Sequence, residues 1–380
     1  MTLYSRAESA HHPSFSPEVM QHAAAVHESN DQPKPRILGV GTALPPHVLA
    51  QKEAQSLTRS LFASSYKDID RLMSVFDNGQ VMTRHLAAPV EWFDTDHTWA
   101  EKNELYVEKA LELGEAAARC ALRRAKLEPD AIDAIIFVST TGVSTPSLDS
   151  RLIKRLNLSR HTARIPVWGL GCAGGAAGLA RAGDYAKSNP NSRVLLVAAE
   201  LCSLTFQRGD MSKSNLIATS LFADGAAAVI VGSGSGPELV GSYSTLLDDT
   251  EDIMGWDVND NGLKVRFSKD VPALVGEVMR ANMTEAAQAN GLTFEDIKHF
   301  VTHPGGLKVL QAYAQTLGLD ESALEDSYAV LKSCGNMSSV SVLFVLERFM
   351  RRWSQLPSGE VGAVSAMGPG FSVEHAFFRT

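Results

Sequence analysis

One order of elements occurs twice along this chain, and that repetition constrains the fold more than composition does. "YVEKALELGEAAARCALRRAKL" (Tyr106–Leu127) has the apolar spacing of a helix and runs into the short apolar stretch "AIDAIIFVST" (Ala131–Thr140). "KDVPALVGEVMRANMTEAAQANG" (Lys269–Gly291) repeats the helix, and "DIKHFVTHPGG" (Asp296–Gly306) repeats the strand. A turn of small residues then opens a helix in each case: "GCAGG" before "AAGLARAGDYAKS", and "SCGNMSS" before "VSVLFVLERFM". Each half closes on a further apolar strand, "RVLLVAAE" (Arg193–Glu200) and "VGAVSAM" (Val361–Met367). Buried strands alternating with helices call for a sheet covered on both faces, so the expected fold is α/β, built from two similar units in tandem.

Order is expected to begin at "RILGVGTALPP" (Arg36–Pro46), a strand ending in a Gly/Pro turn. The first unit also carries "LFADGAAAVIVG" (Leu221–Gly232), a strand expected to be entered through an Asp224-Gly225 turn. The seam falls in the Gly/Ser/Pro-rich "GSGSGP" (Gly232–Pro237). The expected divisions are a loose arm over 1–35, a first half over 36–235 and a second over 236–380. A site between the halves is expected, because clefts form there.

Composition excludes several classes of function. A net charge of −8 without a long basic run argues against a nucleic-acid partner, although a local basic rim can still receive a small anion. Cys120, Cys172, Cys202 and Cys334 have no C-x-x-C spacing, which reads as free thiols in a reducing compartment. No HExxH or His/Cys cluster suggests a metal, and the His11-His12 pair in the polar arm reads as chance. No apolar run approaches the roughly 18 residues of a membrane span, and no signal-type h-region opens the chain. The expected compartment is the cytoplasm.

The stretch "GLGCAGG" (Gly169–Gly175) matches the dinucleotide pattern G-x-G-x-x-G, with Glu200 at the end of the next strand where an acidic residue would bind ribose. Against that reading, the loop sits mid-chain, Arg164 and Pro166 make a poor leading strand, and Cys172 would point a thiol into the pyrophosphate site. The same letters also describe a nucleophile on a sharp turn. Glycines permit close approach, and the helix N-terminus favours a thiolate. The third reading is a small buried cysteine with no chemistry. His303, ending a strand in "THPGG", and Asn336, opening a helix in "CGNMSS", occupy comparable places in the other half. Alone, the first reads as a structural histidine and the second as a helix cap. Together with Cys172 they form a workable thiol constellation that does not by itself name a reaction, since cysteine peptidases use the same trio.

With these motifs placed, the chain from about Arg36 to its C-terminus resembles the type III polyketide synthases, the chalcone synthase-like family of the thiolase superfamily. The resemblance rests on "GCAGG", "LFADGAAAVIVG", "KDVPALV", "THPGG", "GNMSS" and "GPGFSVE" in order. Ketoacyl synthase III enzymes share fold and trio, but resemble "HQAN" and "GNTSA" at the second and third sites. The resemblance implies a thiolase-like duplicated βαβαβ core in five layers (α-β-α-β-α), a homodimer, and no cofactor, with acyl-CoA and malonyl-CoA as substrates. It implies that Cys172 is acylated, that His303 pairs with it as an imidazolium, and that His303 and Asn336 stabilise the enolate left when malonyl-CoA loses its carboxylate.

Weaker carry-overs follow. Phe222 matches the family's gate between the CoA tunnel and the cavity, with core packing as the alternative. Gly305 and Gly306 would let the CoA arm approach the backbone, and Lys308, Arg71 and Arg84 would meet its phosphates, with solvated charges as the alternative. Thr205, Trp256 and Ser338 fall at or near cavity-lining positions. Val265 stands where plant members carry a second gate phenylalanine, and "AMGPG" replaces "GFGPG". "WGLGCAGG" and "AELCSLTF" resemble bacterial members that make alkylpyrones or alkylresorcinols from fatty acyl-CoA. The alternatives kept open are a ketoacyl synthase III-like enzyme that stops after one condensation and a dinucleotide-binding protein.

Overall fold

In the computed structural model, which describes residues 33–380, the strand expected at Arg36 is β1 (Arg36–Ala43). A cap follows: β2 (His47–Ala50), α1 (Gln51–Phe62), α2 (Ile69–Asn78) and β3 (Thr83–Leu86). Then come α3 (Trp99–Ala125), β4 (Ala134–Val138), α4 (Leu148–Leu156), β5 (Ala163–Val167), α5 (Gly174–Ser188) and β6 (Val194–Leu201). The first half ends with α6 (Lys213–Leu221) and β7 (Asp224–Gly232). The second runs β8 (Glu238–Leu246), β9 (Met254–Asn259), β10 (Gly262–Phe267), α7 (Val271–Ala289) and β11 (Ile297–Thr302). It finishes with α8 (Leu307–Leu317), α9 (Glu325–Cys334), α10 (Ser339–Met350), β12 (Val361–Gly368) and β13 (Ser372–Arg379). The expected arm, with His11-His12, lies outside the described residues apart from Pro33–Pro35.

The tandem repeat is visible in the strand order. Nine strands lie in the order β11-β12-β13-β8-β1-β7-β6-β4-β5. β1 and β8 meet at a single pair, Arg36 opposite Glu238, so the order reads outward from that join as two copies of one scheme. On one side it is β1, β7, β6, β4, β5; on the other it is β8, β13, β12, β11. The senses match as well: β4–β6 and β11–β12 are parallel, while β6–β7, β1–β7, β12–β13 and β13–β8 are antiparallel. β5 has no partner strand in the second half. There α9 ends at Cys334, and the chain reaches Asn336 after one glycine, which leaves room for only an isolated bridge between Asn336 and Phe222.

α5 and α10 lie between the two groups of strands, packing on members of both. That middle layer explains their composition. α10, "SVSVLFVLERFM", is apolar on nearly every side because it has almost no solvent face. α5 is built from Gly and Ala because it must approach α10 closely: a Cβ on Gly175 would lie 2.1 Å from the Ser339 carbonyl oxygen. α3 and α4 cover the outer face of the first group, and α7 and α8 that of the second. The result is the five-layered α-β-α-β-α arrangement of the thiolase-like fold.

Boundaries depart from the sequence expectations in instructive places. α3 starts seven residues before Tyr106, because Thr98 and Glu101 form a reciprocal capping box; it ends at a left-handed Lys126. Arg164 and Pro166 do lie in a strand. β5 is the outermost strand of the sheet, where a missing N–H is tolerated. Asp224 is no turn residue: it pairs with Leu201 as the first residue of β7, fully buried, and its carboxylate accepts from the Ala87 and Ser203 N–H groups at 2.6 and 2.7 Å. No helix among the described residues is long and apolar enough to cross a membrane.

Candidate active site

Within each half the parallel strands end on one side, β4, β5 and β6 in the first and β11 and β12 in the second, and the site lies beyond those ends. Cys172 follows β5 in a 3-10 turn (Gly171–Ala173) that continues into α5. His303 is the first residue after β11, its N–H bonded to the Ser365 carbonyl at 2.9 Å. Asn336 and Ser338 precede α10. The N-termini of α5 and α10 therefore meet at this point, and both present positive dipole ends to it.

Gly171, Gly174 and Gly175 of "GLGCAGG" serve packing, while Gly169 faces open space. A Cβ on Gly174 would lie 2.6 Å from Val138 Cγ1 and 3.2 Å from Ser339 Cβ. Gly171 has φ +48°, and a Cβ there would strike Pro369 Cδ at 2.6 Å. This crowding leaves no cradle for a pyrophosphate. Glu200, the candidate ribose ligand, is fully buried. It accepts from the Thr140 N–H and Oγ1, both 2.9 Å, from Thr141 Oγ1 at 2.8 Å and from Ser339 Oγ at 2.6 Å.

Asn336 is held on both sides of its amide. Oδ1 accepts from the Ser338 N–H at 2.8 Å, and Nδ2 donates to the Gly305 carbonyl at 3.0 Å. One Nδ2 hydrogen remains, and the Ser338 and Asn336 side chains lie close enough to the Cys172 thiol to hold its pKa down. Ser338 pays for its place with a strained backbone, φ +50°, a region that non-glycine residues rarely occupy. His303 is buried, and neither ring nitrogen has a hydrogen-bond partner. A Cβ on Gly305 would lie 3.4 and 3.5 Å from its ring, so the glycine lets main chain pass against the imidazole.

Burial favours the neutral form of each reactive group. It pushes the Cys172 thiol up to about 11, with the Glu200 charge adding to the rise and the Ser338 and Asn336 bonds opposing it. It pushes His303 down to about 3. The imidazolium expected at His303 is thus not what its surroundings favour by themselves. A thiolate–imidazolium pair here must draw on the mutual attraction of its two charges.

One cavity adjoins the sulfur, lined by Cys172, Trp256, Ser338, Met254 and Pro369. A larger one lies beside it and extends away under α1 and α6 between Leu49, Leu57, Leu86, Phe93, Thr205 and Phe206. Phe222, Val265 and Cys202 line both and form the wall between them. Phe222 and Trp256 meet edge to face, centroids 6.3 Å apart, and Trp256 pairs with Val265 across β9 and β10.

The structure gathers Cys172, Asn336, Ser338, Gly305 and His303 at one point, with Phe222, Val265 and Trp256 around them. Thr205 belongs to the larger cavity, its hydroxyl bonded to the Cys202 carbonyl at 2.8 Å. Lys308 and Arg71 are exposed, without an ion pair among the described residues, and a Cβ on Gly306 would meet only Leu221 within 4 Å. Arg84 contradicts its sequence expectation: it is buried among main-chain carbonyls and cannot reach a CoA phosphate. Sequence reasoning missed Cys202 as a cavity residue. The signal for it was available, since it follows the strand next along from Cys172, and successive parallel strands end on one side.

The family model for the N-terminal domain of chalcone and stilbene synthases matches residues 23–235, and that for their C-terminal domain matches 238–380. A putative chalcone synthase of Bacillus subtilis is 44% identical over 357 residues, 90% of this chain and 98% of that one. An alpha-pyrone synthesis polyketide synthase-like protein of Mycobacterium tuberculosis is 30% identical, covering 90% of each chain. The crystal structure of 1,3,6,8-tetrahydroxynaphthalene synthase from Streptomyces coelicolor, a bacterial type III polyketide synthase, superposes with a TM-score of 0.85 at 31% identity, over 90% of this chain and 99% of that one. The corresponding enzyme of Streptomyces peucetius is 38% identical, over 90% of this chain and 92% of that one.

Proposed function

Since the chain belongs to the chalcone and stilbene synthase family, the type III polyketide synthases, we propose that Cys172, His303 and Asn336 carry the condensation of an acyl-CoA starter with malonyl-CoA. The observation that carries the assignment is the place of Cys172, where two helix N-termini meet and the Asn336 and Ser338 side chains act on its thiol. His303, neutral at rest, takes and keeps the thiol proton as sulfur attacks the starter thioester; the C–S bond to CoA breaks, and CoA leaves as the thiolate, which is protonated by solvent. Malonyl-CoA then loses carbon dioxide, and the electrons of the broken C–C bond become an enolate. Asn336 Nδ2–H and protonated His303 donate to its oxygen. An amide cannot ionise, so Asn336 stabilises the enolate without quenching it. The enolate carbon attacks the Cys172 thioester, sulfur leaves as thiolate, and the chain is two carbons longer.

The larger cavity supports a fatty starter, because its walls are mostly Leu, Phe, Ala and Val and it adjoins the catalytic chamber across Phe222, Val265 and Cys202. The product that this starter and the bacterial-type flanks of Cys172 favour is an alkylpyrone closed by lactonisation, with an alkylresorcinol second. Each methylene placed in that cavity contributes about 0.8 kcal/mol, so kcat/KM rises about fourfold per carbon until the cavity is full. A series of saturated acyl-CoA starters with malonyl-CoA, read by product mass, checks this. Preference for coumaroyl-CoA in competition, or a naphthalene product from malonyl-CoA alone, overturns the fatty-starter reading. A functional homodimer is part of the proposal. Its supporting observation is an apolar edge beside the site: β5 is the outermost strand, and Trp168 and Val143 next to it are 53% and 44% exposed. Light scattering of the full chain tests it.

A further inference from the structure

Arg84, in β3, is buried with no carboxylate partner among the described residues. A buried guanidinium without an anion is expensive, so its position needs a reason. The reason lies in the end of α6. A helix leaves its last four carbonyls without intrahelical partners. Here the Ala218 carbonyl takes the Phe222 N–H at 2.8 Å, and the Leu221 carbonyl takes the Asn336 N–H at 2.8 Å. The two between them go to Arg84: Nη1 donates to the Thr219 carbonyl, and Nη2 to the Ser220 carbonyl at 2.9 Å. Nη1 also reaches the Phe222 carbonyl at 3.5 Å. Gln51 fixes the fork from behind, its Oε1 accepting from Nη2 and its Nε2 donating to the Ser220 carbonyl at 3.2 Å. A cation at this helix end also faces the negative end of the dipole.

The same segment of chain holds the other side of the catalytic turn. The Met82 N–H bonds the Lys332 carbonyl at 2.8 Å, and Thr83 Oγ1 bonds the Ser333 carbonyl at 2.9 Å, both at the end of α9. Asn336 follows that end after Gly335, and its strand-type pairing is with Phe222, completed by the Ala223 N–H on the Asn336 carbonyl at 2.9 Å. Residues Met82–Arg84 therefore brace the end of α6 against the end of α9, and Asn336 hangs between them.

We infer that Arg84 is a positioning residue for the condensation: by capping α6 it fixes Leu221 and Phe222, and through their main chain it aims the Asn336 amide at the reacting centre. This rests on the reading that Asn336 stabilises the enolate. Arg84→Lys keeps the charge but loses the fork that serves two carbonyls at once. In the full-length enzyme, acyl transfer to Cys172 is read by intact mass, and carbon dioxide release from malonyl-CoA is read separately. Starter loading, read with acetyl-CoA because Arg84 also lines the larger cavity, is expected within about threefold of wild type, with decarboxylation down at least about tenfold, the scale of a displaced catalytic group. In an Asn336→Ala background, Arg84→Lys is expected to slow decarboxylation by less than about twofold more, because the two act as one unit. Equal losses in loading and decarboxylation, or additive losses in the double variant, overturn the inference. If Asn336→Ala slows decarboxylation and Arg84→Lys does not, only the inference falls; if Asn336→Ala leaves decarboxylation unchanged, both fall. Should Arg84→Lys fail to fold, Gln51→Ala is read in the same assays, with the same split expected at smaller size and its absence counting against the inference.

Discussion

The turn before α5 and the turn before α10 occupy matching places in the two halves, and in the proposed mechanism they carry opposite chemistry. The first presents the side chain of Cys172, a group that gives electrons. The second presents Asn336 and Ser338, groups that give hydrogen bonds, and it does so from a strained backbone. Duplication thus supplied two helix N-termini at one point, and side-chain identity divided the work between them. The halves differ likewise in their buried titratable groups. The first holds Glu200 and Asp224, acids that burial pushes up beside the bases Arg84 and Lys102 that it pushes down; the second holds His303 and His375, pushed down, beside Glu374, pushed up.

Exchange of roles between the turns is ruled out only if each fails in its own way. Cys172→Ala is expected to lower covalent starter loading by more than about 10⁴-fold, as loss of a nucleophile does. Labelled starter appearing on Cys202 instead would move the nucleophile to the end of β6, with β4 between it and β5. Asn336→Ala is expected to slow malonyl-CoA decarboxylation about 10²- to 10³-fold, the usual effect of losing one oxyanion donor, while loading falls far less. Matching losses in both would make the second turn merely structural.

The pH dependence of stability supplies a second contrast, because Asp224 in the first half and His375 in the second push it in opposite directions. Asp224 titrates at about 6 when folded, above its ordinary 3.8, so the folded state holds the proton more tightly. Its contribution is complete below pH 3.8 and is lost as pH rises through 6, about 3 kcal/mol in all. His375 titrates at about 4 when folded, below its ordinary 6.5, so the unfolded state takes the proton first. Its contribution is complete above pH 6.5 and is lost as pH falls through 4, again about 3 kcal/mol. Urea midpoints between pH 4 and 6.5 should therefore change slope in opposite senses for Asp224→Asn and His375→Gln; slopes moving together would refute the division. The smallest effect tests the contact between the turns. Gly175→Ala places a Cβ 2.1 Å from the Ser339 carbonyl oxygen, a main-chain atom with little freedom to give. A loss of about 1–3 kcal/mol in stability is expected, with decarboxylation reduced more than loading because α10 carries the displaced residues.

Much of this was legible in the sequence alone. Helical and strand periodicity, repeated in one order, marked the tandem units, and the residues at corresponding strand ends pointed to Cys172, His303 and Asn336. These signals are local, because a strand end or helix start is written in a few adjacent residues. The failures share the opposite property. Arg84 reads as a solvated cation until α6 closes over it; Asp224-Gly225 reads as a turn until Ala87 and Ser203 are brought to the carboxylate. Glu200 fits a ribose site by position, yet residues of two distant segments, Ser139–Thr141 and Ser339, enclose it. The protonation of His303 could not be read from its neighbours in "THPGG" either, because burial sets it and burial is a property of the assembled layers. By itself the sequence determined which residues stand at the ends of the elements, since the chain's own periodicity places those ends. Only the tertiary structure decided which of them are dry, which are braced and which share a cavity, because those depend on contacts between segments far apart in the chain.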